Sequence, residues 1–294
     1  MLLSSWWSIQ ASVSLIQLLE SLVAGGLTGF LSGLLGVGGG FIMIPLLTLM
    51  GTPIHTAVGT CLAFVACSSL ATLLQHIRQG SIDPLVALTM TIPAALFANI
   101  GAHFASTLAP ATLHILFGCL LIAIMLMYHF APATHMAAAP TGMMPSARRW
   151  YLLQRQRAVR DHLLCYEFHL PKALLSGIAT GLLAGFFGIG GGVFLVPLLV
   201  VILHVPLPIT AGTTLAIFLL PAIVGSVTHW RLGHVDIGLW IPLVLAGILG
   251  GQLGARYVVC LSAVLIKRLF LLMVASGALF MLSKGLREMY ERMP

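Results

Sequence analysis

Gly29-Phe-Leu-Ser-Gly-Leu-Leu-Gly-Val-Gly-Gly-Gly40, followed by Pro45-Leu-Leu47, recurs as Gly181-Leu-Leu-Ala-Gly-Phe-Phe-Gly-Ile-Gly-Gly-Gly192, followed by Pro197-Leu-Leu199. The offset is 181 − 29 = 152. One residue is gained after the proline, and from Pro53 and Pro206 onward the offset is 206 − 53 = 153. At that offset Gly59-Thr60 matches Gly212-Thr213, and His76-Ile-Arg78-Gln-Gly80-Ser-Ile-Asp83 matches His229-Trp-Arg231-Leu-Gly233-His-Val-Asp236. Asn99-Ile-Gly101-Ala102 matches Gln252-Leu-Gly254-Ala255. Matches at so many separate places and one near-constant offset mark a duplicated unit.

The surroundings of the glycine tracts are apolar. Of the 294 residues 59% are hydrophobic and 7% are charged, and the mean hydropathy is +1.07. A soluble domain carries about 25% charged residues, so this chain cannot cover a water-facing surface. In lipid the backbone must satisfy itself, which leaves helices or a closed barrel. Barrel strands alternate polar and apolar residues, whereas the apolar runs here are continuous and mostly of spanning length. The fold class expected is an all-α polytopic membrane protein, with two homologous repeats and about 8–10 membrane segments. The glycine-broken segments 41–50 and 193–203 are too short to span upright, at about 1.5 Å per residue against a core of about 30 Å.

Residues 1–130 form the first repeat, 131–171 a basic linker and 172–294 the second repeat. The linker passes from a Pro/Ala/Met-rich stretch, Ala131 to Pro145, to Arg148, Arg149, Arg155, Arg157 and Arg160. That charge places it on the cytoplasmic side. Trp150, Tyr151, Leu152 and Leu153 among the arginines suggest an interfacial helix in part of it. The N-terminus lacks Lys and Arg before its apolar run and is read as a retained anchor, with Trp6 and Trp7 at the interface. The net charge of +7 lies between apolar runs and at the C-terminus, so it does not indicate nucleic acid. Five cysteines without CxxC spacing indicate neither disulfides nor zinc. Sidedness stays open. If only the short segments turn back, the repeats are parallel, and Arg78, Arg231, Lys284, Arg287 and Arg292 share the linker's side. If the preceding segment also turns back at the glycines, or if both segments cross, the repeats are inverted, and Arg256, Lys267 and Arg268 replace Arg231 and the C-terminal group. The basic-residue count favours the parallel arrangement by one, which does not decide it.

Consecutive glycines cost a helix about 1 kcal/mol each relative to alanine, so Gly36, Gly38, Gly39 and Gly40, with Gly188, Gly190, Gly191 and Gly192, mark backbone that leaves the helix. Free N–H groups at the start of the following helix suit an anion; close helix packing through small residues is the alternative. The tract is no dinucleotide fingerprint, since Phe41 and Val193 stand where its last glycine belongs. Pro45 and Pro197 each remove a helical hydrogen bond and are expected to kink or break the short segments. Thr60 and Thr213 offer hydroxyls to an anion or to their own helix. Asn99 and Gln252 need partners in lipid, from another helix or from substrate. Arg78 and Arg231 are placed at the access to the path, where they attract or gate an anion or pair with Asp83 and Asp236. His76 and His229 beside them carry a proton or a structural bond. The two aspartates cap the helices that follow. None of the seven acidic residues lies clearly mid-membrane, and no metal-binding, nucleophilic or paired-acid motif is present. The chain therefore reads as a non-enzyme, without cofactor or metal.

The paired glycine tracts, each with proline five residues on, resemble the sulfite exporter TauE/SafE family, also called 4-toluene sulfonate uptake permeases. The resemblance covers about 20–130 and 172–285 and carries over to Gly36, Gly38, Gly39, Gly40, Pro45, Gly188, Gly190, Gly191, Gly192 and Pro197. It implies a secondary transporter of a small anion, sulfite or an organosulfonate, across the bacterial inner membrane, coupled to a proton or ion. A passive anion channel, or a scaffold acting through the basic linker, are the alternatives. The partners expected are the anion and the bilayer, not nucleic acid.

Overall fold

The computed structural model describes residues 15–35, 38–78, 82–130, 152–159, 162–190, 192–205, 207–257 and 263–291. The N-terminal stretch with Trp6 and Trp7, residues 131–145, and Arg148, Arg149, Trp150, Tyr151 and Arg160 lie outside the described residues. The first repeat comprises α1 (Leu15–Leu35), α2 (Gly40–Leu49), α3 (Ile54–Arg78), α4 (Pro84–Thr107) and α5 (Pro110–Phe130). Two strands follow, β1 (Leu152–Val159) and β2 (His162–His169). The second repeat comprises α6 (Leu170–Phe187), α7 (Gly192–Pro197), α8 (Leu207–Arg231), α9 (Ile237–Tyr257) and α10 (Ala263–Tyr290). A π-helical turn, Leu198–Ile202, extends α7. Seven of these helices are long and apolar enough to cross a membrane.

The contacts repeat at the sequence offset. Gly25 and Gly29 of α1 lie against Leu243 and Gly247 of α9, while Gly177 and Gly181 of α6 lie against Met90 and Ala94 of α4. Each pair is therefore parallel, and a side chain at Gly25, Gly29, Gly177 or Gly181 would meet the facing helix backbone. Small residues let membrane helices approach this closely where no hydrophobic effect drives them together. The backbone repeats as well: Gly38 and Gly190 have φ of 82° and 80°, and the turns after the short helices place Gly51 (φ 87°) and His204 (φ 55°) in the same left-handed region.

The direction of the helices settles the sidedness. Thr60, near the start of α3, accepts a hydrogen bond from the Asp236 amide just beyond α8, and Thr213, near the start of α8, accepts one from the Asp83 amide just beyond α3. These two helices are thus antiparallel. We call the end at which α3 begins the far end and the other the linker end. α2 returns to the far end, where the Lys284 ammonium donates to the Thr48 carbonyl. His114, near the start of α5, meets Glu288, near the end of α10, at 3.1 Å. The chain turns back at each glycine break, so each repeat crosses in full an odd number of times. The C-terminal helix ends opposite the linker, and the repeats are inverted, against the one-residue margin of the charge count.

The linker departs from the interfacial helix expected of it. β1 and β2 pair antiparallel, from Leu152 opposite His169 to Val159 opposite His162. Gln154, Arg155, Gln156 and Arg157 alternate with period two, and Tyr166 and Phe168 favour a pleated surface. Lipid-facing leucines hold the outside of the bundle, among them Leu96 (66% exposed) and Leu249 (64%). Inside, α2 is enclosed through Phe41, Met43, Ile44 and Leu47.

Candidate functional site

The two glycine breaks meet inside the bundle. Gly38 and Gly39 take left-handed φ of 82° and 71° between α1 and α2, and Gly188 and Gly190 take 68° and 80° between α6 and α7. A Cβ at Gly40 would strike the Ile189 carbonyl of the other break. A Cβ at Gly190 would come within 2.6 Å of Phe218 and 2.8 Å of Val65, two residues that match at the offset of 153. Gly36 and Gly191 lie outside the described residues. Gly39 caps α2 without a side-chain hydrogen bond, and Gly39 O accepts from the amides of Ile42 and Met43. The first turn of α2 thus presents its dipole and N–H groups to the junction.

Threonine hydroxyls are present at the junction, but not those expected from the sequence. Thr60 and Thr213 are fully buried and each accepts the amide of the opposite repeat's aspartate, both at 3.0 Å. They tie loop to helix across the repeats. Thr28 stands at the break instead: its Cγ2 and the Ser32 Cβ would lie 3.0 Å and 3.1 Å from a Cβ on Gly39. The Thr28 hydroxyl is buried and has no hydrogen-bond partner, and the same holds for Thr214, which occupies the place of Cys61 in the second repeat. Cys61 itself donates weakly to the Gly40 carbonyl at 3.6 Å. The signal for Thr28 was its match to Thr180 at the offset of 152.

The remaining expected residues fall away from the junction. Asn99 is exposed, on the face of α4 that carries Leu96 and Ile100, and its carbonyl oxygen accepts the Thr228 hydroxyl of α8 at 2.9 Å. Gln252 is exposed beside Leu249 and Leu253 on α9. Both therefore face outward, and the Asn99 bond bridges helices. Pro45 does not break α2, which runs through it; the glycines make the break. Pro197 ends α7, where the helix widens into its π-helical turn. Arg231 is exposed at the end of α8, Arg78 closes α3, and His76 is half-buried two residues earlier.

His229 is buried rather than at a surface, and it anchors a histidine group at the far end. Its Nε2–H donates to the Gly185 carbonyl at 3.1 Å, so in the neutral ring Nδ1 accepts, and His234 donates Nδ1–H to it at 3.3 Å. The His55 ring lies 5.3 Å from that of His234, and the His55 Nε2–H donates to the Ala105 carbonyl at 3.2 Å. Burial first, and then the neighbouring His55, hold His234 below the ordinary histidine value. Asp83 caps α4 through Oδ1, accepting from the amides of Leu85 and Val86, and Asp236 caps α9 through the Leu239 amide.

The sequence profile of the sulfite exporter TauE/SafE family matches residues 21–281. The chain belongs to this family. It is 29% identical over 257 residues to the probable membrane transporter protein YdhB of Bacillus subtilis, covering 87% of this chain and 96% of that one. A probable membrane transporter protein of Xylella fastidiosa is 29% identical over 273 residues, covering 90% and 95%. YunE of Bacillus subtilis, another probable membrane transporter protein, is 25% identical over 269 residues, covering 88% and 96%. No solved structure matches the chain significantly. As a TauE/SafE member with its spans arranged as above, it is a multi-pass membrane transporter.

Proposed function

We propose that this transporter moves a small oxyanion, sulfite or an organosulfonate, across the bacterial inner membrane, and that the anion binds where the two glycine breaks meet. One observation carries the reading: the buried Thr28 hydroxyl stands without a partner beside Gly39, at the uncapped start of α2. An orphaned buried hydroxyl costs about 1–3 kcal/mol, and an oxyanion accepting its proton, together with the N–H groups of α2, removes that cost. Gly40 and Ile189 are in contact, so the anion enters only as the repeats separate, which favours alternating access over an open channel. The basic linker places its end of the bundle in the cytoplasm. A coupling proton has a carrier in the far-end histidines, His234 foremost.

The test is flux of labelled sulfite and small organosulfonates into proteoliposomes, with and without a proton gradient, for the parent chain and Thr28→Val. Loss of one hydrogen bond to a charged ligand, about 1.5–3 kcal/mol, raises the half-saturating concentration about tenfold or more. Uphill uptake driven by the gradient supports a coupled transporter. An unchanged half-saturation in Thr28→Val would remove the anion from this junction.

A further inference from the structure

A cavity of 340 Å³ opens at the far end of the bundle, lined among others by Met50, Thr52, Thr56, Asp236 and Leu239. Adding 153 to the first three numbers, and subtracting it from the last two, gives Leu203, Val205, Ile209, Asp83 and Val86. At the linker end these five matching residues surround a side chain from β2. Tyr166 of β2 is only 5% exposed and packs in one apolar cluster with Val86, Leu203, Val205 and Ile209. Its hydroxyl donates to Asp83 Oδ2 at 2.5 Å. Asp83 is fully buried in consequence, while its repeat-mate Asp236 lines the open cavity.

We infer that the paired strands β1 and β2 are a plug, and that Tyr166 closes at the linker end the same mouth that stands open at the far end. The inference rests on the transporter reading, because a path that works by alternating access must be shut at one end while it is open at the other. The lining agrees. Two threonines, Thr52 and the half-buried Thr56, line the far-end mouth, and the matching Val205 and Ile209 are aliphatic members of the cluster that holds the Tyr166 ring. A two-stranded hairpin is marginal by itself, so the Tyr166 contacts decide whether it stays docked. Opening the linker end therefore requires β2 to withdraw Tyr166, and the strand pair becomes a moving part of the transport cycle.

Thiol accessibility tests this. Thr56→Cys and Ile209→Cys chains are treated in detergent, where both ends are reachable, with a membrane-impermeant maleimide. The signal of the five native cysteines is subtracted using the parent chain. The cysteine at 56, on the half-buried lining of the cavity, is expected to react fast and that at 209, fully buried, slowly; adding Tyr166→Ala accelerates the latter about tenfold and leaves the former unchanged. Equal rates at 56 and 209 with Tyr166 in place, or a site at 209 that stays slow in Tyr166→Ala, overturns the plug. Should Tyr166→Ala not yield monodisperse protein, Tyr166→Phe decides, since it loses only the hydroxyl held by Asp83. An acceleration of about threefold or more supports the plug, and none refutes it. The maleimide is not a substrate, so failure of the sulfur-anion reading leaves this result untouched.

Discussion

Thr60 and Thr213 make the same bond in the two repeats, and their unequal surroundings give a sharp prediction. Each hydroxyl accepts an aspartate amide at 3.0 Å, and both threonines are fully buried. Valine keeps the branched shape, so Thr→Val at either position leaves no cavity and removes the hydroxyl that accepts the amide. In Thr213→Val the amide of Asp83, a fully buried residue, is left without its acceptor, at a cost of about 1–3 kcal/mol. In Thr60→Val the amide belongs to Asp236, which is half-buried and lines the open cavity. Water takes the lost acceptor's place there, and the cost falls to the net value of an ordinary hydrogen bond, about 0.5–1.5 kcal/mol. Thr213→Val is therefore expected to lose about 1 kcal/mol more than Thr60→Val. At about 2–4 °C per kcal/mol for a chain of roughly this size, the thermal midpoints in detergent separate by a few degrees, and reversible unfolding in SDS gives the free energies directly. Equal losses, or a larger loss for Thr60→Val, would show that the two ends of the bundle are equally dry and refute the asymmetry on which this reasoning stands.

Gly38→Ala and Gly190→Ala separate backbone strain from crowding. Both positions have left-handed φ near 80°, which costs alanine about 1–2 kcal/mol. A Cβ at 38 finds Val65 at an easy 3.9 Å, whereas one at 190 meets Phe218 at 2.6 Å. Gly190→Ala should lose a further 1–3 kcal/mol or so in the same unfolding assay; similar losses at both sites would place the whole cost in the backbone. The histidine group predicts a pH dependence. His234 is held below its ordinary value of 6.5, so the unfolded chain binds its proton first. Stability is then complete above that value and declines as pH falls from it toward the lowered one. His234→Gln should flatten the thermal midpoint over this window, and an unchanged pH profile would exclude the group from the linkage.

The residues that sequence reasoning located best are those whose physics is local. A glycine tract in an apolar run breaks a helix whatever surrounds it, so Gly38, Gly39, Gly188 and Gly190 could be placed at turns before any partner was known. Thr28 was missed because nothing in its own helical stretch sets it apart. Its importance comes from Gly39 folding back against it. Thr60 and Thr213 were given to a ligand because the sequence shows a hydroxyl but not which amide of the other repeat will reach it. Asn99 and Gln252 lie in spans that are apolar all round, so the sequence leaves a helix partner and a substrate equally open, and only the packing of α4 and α9 turns those faces outward.

Hydropathy and the backbone cost of glycine act within a few residues, so a helical membrane protein with two glycine breaks is legible in the chain before any packing is known. Sidedness belonged to the tertiary structure, because it depends on how many of the segments around each break cross in full, and the basic residues were too evenly spread to choose. Tertiary structure also decided the plug. The linker's charge was legible, but Tyr166 acquires its role only when β2 carries it into a mouth formed by residues 83, 86, 203, 205 and 209, which are far apart in the chain and are brought together by the inverted packing of the repeats.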